Sequence, residues 1–177
     1  LRRDADGGEL FPDQVRVRDG EGRDLPLIVE SSTLYREFGE IAGMRFAFEL
    51  DPRFVDEELA ATLADMGVNR VSFGVQDINA KVQKAIGRVQ PAEGVERAVA
   101  LIRAAGISAI NLDLMYGLPH QTQAEVRRTA QWAAGLAPGR LAIFGYAHVP
   151  WMKKHQRLID AAALPGAGER IAQADAA

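Results

Sequence analysis

The chain has no cysteine among its 177 residues. That excludes disulfides, thiolate catalysis, zinc-thiolate sites and any iron–sulfur cluster ligated by cysteines of this chain. No apolar run approaches the roughly 20 residues a helix needs to span a bilayer, and the opening Leu1-Arg2-Arg3-Asp4 lacks the apolar stretch of a secretory signal. The expectation is a cytoplasmic chain with no membrane partner. Neither sign of charge dominates: 21 basic against 24 acidic residues leave a net charge of -3. A nucleic-acid partner is therefore not expected, because such sites show a clustered basic excess. The basic residues within 153–157 form a short cluster, which reads as a solvated face or as an anion contact. The histidines, His120, His148 and His155, are too scattered for a metal motif, so no metal ligands are assigned. No nucleophile elbow occurs, and the glycines near the start lack the strand–glycine–helix context of a phosphate loop.

What is present is alternation. Apolar residues make up 47% of the chain, enough for one globular domain with a sizeable core. Residues 1 to 30 are charged and irregular, with a loose hairpin turning at Asp19-Gly20 between 15–18 and 25–29. Ser31 or Ser32 is placed to cap a short helix carrying Leu34, Phe38 and Ile41 and closed by Gly43. Met44, Phe46, Phe48 and Leu50 then alternate with Arg45, Ala47 and Glu49, a strand ending at Asp51-Pro52. Asp56 caps a helix with Leu59, Leu63 and Met66 on one face and Gly67 behind it.

The unit repeats. Val71, Phe73 and Val75 form a strand ending at Gln76, and Asp77 is expected to cap a short helix running to Ile86. Pro91 opens a helix striped by Val95, Ala98, Val99 and Ile102. In the stretch N-L-D-L-M-Y-G-L-P-H-Q-T at 111–122, Leu112, Leu114 and Tyr116 alternate with Asn111, Asp113 and Met115. Gly117 and Pro119 stop that strand, and Thr122 with Glu125 makes a capping box for the next helix. A fourth strand runs from Leu141 to Tyr146, and the Ala- and Gly-rich tail from Ala161 is expected to fray. Sequential strands separated by helices imply parallel pairing.

Glu49, Gln76, Asp113 and the Tyr146-Ala147-His148 segment all fall at the C-terminal ends of expected parallel strands. There the following loops converge, and residues distant in sequence line one pocket. Local roles stay open for each: Glu49 pairing with Arg45 or Arg53, Gln76 bonding loop backbone, Asp113 capping a turn.

These residues resemble a known family. E-L-D-P-R at 49–53, G-V-N-R-V-S-F-G-V-Q-D at 67–77, the 111–122 block and Y-A-H-V-P at 146–150 resemble the oxygen-independent coproporphyrinogen III oxidases, radical S-adenosylmethionine enzymes of bacterial heme synthesis. The likeness covers Phe48 to about Pro165. Two of the blocks are shared with the sister heme chaperones, whereas Y-A-H-V-P and the residues after it resemble the oxidase. The resemblance implies a partial (β/α) barrel of about four βα units with parallel strands. It implies an oxidoreductase that binds S-adenosylmethionine beside a four-iron, four-sulfur cluster and removes carbon dioxide from propionates of a tetrapyrrole substrate. It assigns Glu49 as the contact to one S-adenosylmethionine and Gln76, Arg88, Asp113 and Ala147 as contacts to a second.

The match also fails in places. The family's C-x3-C-x2-C motif and its Gly-Gly-Gly-Thr-Pro turn do not occur here. We therefore expect three parts: a divergent irregular leader over 1–43, a partial barrel over 44–160 and a frayed tail over 161–177. We also expect a chain inactive alone, whose partner is a missing N-terminal half or a second copy meeting an exposed sheet edge.

Overall fold

The computed structural model describes residues 28–35 and 41–177, with side chains from Phe48 onward. The hairpin expected around Asp19-Gly20 lies outside the described residues. Five strands form one sheet in the order of the chain: β1 (Ile28–Tyr35), β2 (Ile41–Leu50), β3 (Arg70–Gln76), β4 (Ala109–Tyr116) and β5 (Arg140–Gly145). β2 through β5 are mutually parallel, whereas β1 runs antiparallel to β2. The expected parallel βα architecture is present.

The helix expected from Ser31 to Gly43 is not. Ser31 and Leu34 lie in β1 and Ile41 in β2, paired across an antiparallel ladder. Three apolar residues at helical spacing are a weak signal. Ile28, Val29, Thr33 and Tyr35 favour a strand, and β2 has an edge whose amides and carbonyls need partners.

α1 (Glu57–Asp65) and α3 (Ala92–Ala104) link the parallel strands, with a shorter α2 (Ala80–Ala85) before α3. α4 (Gln123–Gly135) and α5 (Ala167–Ala176) follow β4 and β5. Asp56 caps α1 by accepting from Leu59 N at 2.8 Å. α4 carries the expected capping box: Thr122 Oγ1 accepts from Glu125 N at 3.3 Å, and Glu125 Oε2 accepts from Thr122 N at 2.7 Å. α2 is capped by Asn79 rather than Asp77, its Oδ1 accepting from Lys81 N at 2.8 Å. Asp77 is bent away and instead accepts from Asn79 N.

The tail does not fray as expected. A short 3-10 turn at Ala161–Ala163 leads into α5, where Glu169 Oε2 accepts from Gly166 N at 3.0 Å. Gln173, 1% exposed, then bridges Gly117 N (2.9 Å) and Gln121 O (2.6 Å). The alanines that suggested fraying are strong helix formers, and one buried carboxamide ties the helix to the β4–α4 loop.

Register decides which face is core. Leu50, Phe73, Leu112 and Leu141 are cross-strand partners in one row, and Phe48, Val71 and Ile110 in another. Both rows pack under Leu63 of α1, Val99 and Ile102 of α3 and Ala133 of α4. Because side chains alternate across a strand, the residues between these rows face the opposite way. Leu112 is wholly buried in the centre of the core, so Leu112→Ala should cost about 2–5 kcal/mol of folding free energy. Urea denaturation measures it; a loss below about 1 kcal/mol would mean that the core is not packed as described.

Candidate functional site

The face turned away from the helices carries a polar row in register: Glu49 on β2, Ser72 on β3, Asn111 on β4 and Arg140 on β5. One step toward the strands' C-terminal ends, Gly74, Asp113 and Ala142 form the next row. All of these but Gly74 line a cavity of about 430 Å³, with Gln76, Met115 and Phe144 at its upper end. That volume lies within the roughly 300–1,000 Å³ of small-molecule sites.

Gly74 lies beneath the side chains at the upper end. A Cβ placed there would lie 3.0 Å from Gln76 Nε2, 3.4 Å from Arg88 Nη2 and 3.8 Å from Glu49 Oε1. Three of the expected site residues therefore converge on one glycine, and Asp113 is its partner across the ladder. Arg88 arrives from just beyond α2, where its Nη2 donates to Gly74 O at 2.9 Å and lies 3.7 Å from Asp51 Oδ2. Asp51 is also gripped by Arg53, whose Nη2 lies at 2.6 Å. Burial pushes the Asp51 carboxyl upward, but the Arg53 side-chain and backbone hydrogen bonds and the charges of Arg88 and Arg53 hold it below its ordinary value. Arg53 is thus committed to Asp51 rather than to Glu49.

On β4, Asn111 Nδ2 donates to Asp113 Oδ1 at 2.7 Å and to Ser72 Oγ at 3.1 Å. Three polar atoms at the site have no hydrogen-bond partner among the described residues: Gln76 Oε1, Asn111 Oδ1 and Arg88 Nε. Buried polar atoms are nearly always satisfied, so these three have hydrogen-bonding capacity left for a ligand's hydroxyls, amine or carboxylate.

Ala147 stands apart from this cavity. It is exposed in the segment after β5, and its carbonyl accepts from Gln156 Nε2 at 3.0 Å. Ser72 and Arg140 were not expected at the site from the sequence. Their signal was the strand alternation itself, in which every second residue of β3 and β4 must share a face with Gly74 and Asp113. Arg140, at the start of β5, fell outside the strand as expected.

The loops above the cavity are tied by a buried acid. Asp77 is fully buried; its Oδ1 accepts from Asn79 N at 2.5 Å and its Oδ2 from Gln121 Nε2 at 2.6 Å. Burial pushes the Asp77 carboxyl above its ordinary value, with the Glu125 charge adding to the rise and the Asn79 and Gln121 bonds opposing it.

These features define an α/β sheet of four parallel strands with a polar cavity on its open face, and comparison gives the class. The family model for the radical SAM superfamily matches residues 15–133. The chain belongs to that superfamily. The oxygen-independent coproporphyrinogen III oxidase of Helicobacter pylori is 51% identical over 123 residues, 70% of this chain and 27% of that protein. Its counterpart from Paracoccus denitrificans is 46% identical over 129 residues, 73% of this chain and 29% of that one. Among solved structures, coproporphyrinogen III oxidase from Escherichia coli, a radical SAM enzyme, superposes with a TM-score of 0.70 at 36% identity, covering 73% of this chain and 30% of that one. The chain thus spans less than a third of the length of these relatives.

The superfamily implies S-adenosylmethionine and an iron–sulfur cluster, and the residues fit only the first. Carboxylates, orphaned carboxamide oxygens and a guanidinium around one cavity suit a zwitterionic amino acid bearing ribose hydroxyls. The cluster needs thiolates, of which the chain has none, and among the described residues no group of three His, Cys, Asp or Glu is placed to hold a metal.

A group whose native pKa is raised binds its proton more tightly folded than unfolded, so its contribution to stability falls as pH rises. For Asp77 the fall begins near the ordinary value of 3.8 and levels off above the raised native one. The stability of wild type minus that of Asp77→Asn should therefore decrease as pH rises from about 4 through this window. A series of urea titrations checks it; a gap that is flat or widens with pH contradicts the assignment.

Proposed function

We propose that this chain binds S-adenosylmethionine on the open face of its sheet, as part of a protein of the coproporphyrinogen III oxidase type. The observation that carries this reading is the convergence of Glu49, Gln76 and Arg88 on Gly74, with unsatisfied oxygens on Gln76 and Asn111, two residues that line one cavity. Glu49 and Asp113 supply negative charge for an ammonium or a sulfonium. Arg88 Nε offers the donor for a carboxylate, and Gln76 Oε1 and Asn111 Oδ1 accept from hydroxyls or an amine. Gly74 leaves room for the Gln76 and Arg88 side chains, which a Cβ there would crowd. Ala147, beyond the cavity's lining, would contribute only a backbone contact from the β5 end of the rim.

When bound in the radical SAM superfamily, S-adenosylmethionine supplies a 5′-deoxyadenosyl radical after one-electron reduction. In the relatives named for coproporphyrinogen III, the reaction is an oxidation of that tetrapyrrole, and a tetrapyrrole is the substrate class we assign to the intact protein in heme synthesis. This chain has no thiolate to hold the reductant cluster, so we assign it binding without cleavage. The unit that binds is the barrel part at 44–160, with a polypeptide supplying the relatives' cluster-binding half, or a second copy, as its partner and the cytoplasm as its setting.

Calorimetric titration of S-adenosylmethionine into the chain should show saturable binding that Asp113→Ala weakens at least tenfold, about 1.4 kcal/mol. Absent heat with both proteins would remove the cofactor site. Incubation with iron, sulfide and a reductant under anaerobic conditions should give no 5′-deoxyadenosine above a protein-free control.

A further inference from the structure

Gln76 sits in a conformation that its residue type resists. Its φ is 68°, in the left-handed region where a side chain is strained. Asp77 N donates to Val75 O at 2.9 Å, which closes a three-residue γ-turn about Gln76. The positive-φ form of that turn is rare and strained. The ladder slips at the same place: Gly74 faces Asp113 and Gln76 faces Leu114, leaving Val75 as an extra residue on β3. Bulges of this kind re-aim a side chain. Here the side chain lands with Nε2 over Gly74, beside Arg88.

Strain of this kind persists only where the surroundings over-determine it, and the surroundings are specific. The residue after Gln76 is Asp77, whose two carboxylate oxygens are held by Asn79 N and Gln121 Nε2. Gln121 is itself fixed on three sides: Nε2 also donates to Met115 O at 2.8 Å, Oε1 accepts from Leu118 N at 3.1 Å, and its carbonyl accepts from Gln173 of α5. Asn79 Nδ2 donates to Glu125 Oε1, within the capping box of α4. The peptide following Gln76 is therefore pinned to the β4–α4 loop and, through it, to α5.

From this we infer that Asp77 is a positioning residue: clamped by Gln121 and Asn79, it forces the turn that delivers the Gln76 carboxamide into the cofactor cavity. Asp77 need not touch ligand, because it acts on Gln76 through the backbone between them. The inference rests on the reading of Gln76 as an S-adenosylmethionine contact, but the clamp itself is a claim about the turn.

Two double-mutant cycles test it with the full chain. In calorimetric titrations with S-adenosylmethionine, Asp77→Asn should weaken binding at least tenfold in wild type and less than twofold in a Gln76→Ala background. An equal loss in both backgrounds would make Asp77 merely structural and overturn the inference, while leaving the cofactor site standing. The second cycle needs no ligand. Gln76→Gly, which tolerates positive φ, should lower the unfolded-to-folded ratio about fivefold relative to Gln76→Ala, and Asp77→Asn should abolish that difference. A glycine advantage that survives Asp77→Asn shows that something other than the clamp imposes the turn. If wild type gives no binding heat, the cofactor reading fails and the stability cycle still decides the clamp. Should Asp77→Asn not fold, Gln121→Ala removes the donor to Oδ2 and replaces it in both cycles.

Discussion

Everything in this molecule depends on four parallel strands being held in one register. A strand has two faces, and slipping any one of these by a single residue would move its whole apolar set from the helices to the open side. The in-register row Leu50–Phe73–Leu112–Leu141 fixes the core, and the same ladders then align Glu49, Ser72, Asn111 and Arg140 on the other face. The site is thus a by-product of the core. Residues separated by 91 positions (49 to 140) come to lie three strands apart in one row because hydrophobic burial locks the parity between them.

The loops obey a different constraint. No apolar packing could hold the β3–α2 turn in its strained form, so the chain uses a buried carboxylate with two donors and a chain of carboxamides behind it. Gln121, Gln173 and Gln83 all spend their amides on backbone groups that would otherwise be orphaned. Such a network is costly if any member is missing, because the remaining groups stay desolvated and unpaired. It makes the C-terminal rim stiff where the cavity opens.

Alternation carries long-range information, and so the strands β2 to β5, the helices between them and the polar rim were legible in the sequence. Asp56 and the Thr122–Glu125 box were legible because capping is local chemistry. What failed was decided elsewhere in the fold. Ser31 to Gly43 is short enough for weak helical spacing to mislead, and its state follows from the needs of β2. Asp77 was misassigned as a cap because its partner Gln121 is 44 residues away. The tail was misread because only a buried Gln173 shows that α5 docks. Of the residues singled out in the sequence, Glu49, Gln76 and Arg88 converge on Gly74, and Asp113 is its ladder partner. Ser72 was passed over because a hydroxyl carries little chemical signal on its own.

The antiparallel β1 has a further consequence for how the sheet extends. Each strand has two long sides, and β2 has given one to β3 and the other to β1. A parallel neighbour on that second side would have to evict β1 first, trading one full set of ladder bonds for another. At β5 no described strand stands in the way. Among the described residues the sheet is therefore asymmetric: β5 keeps one long side unpaired, whereas a parallel neighbour for β2 is an exchange with β1.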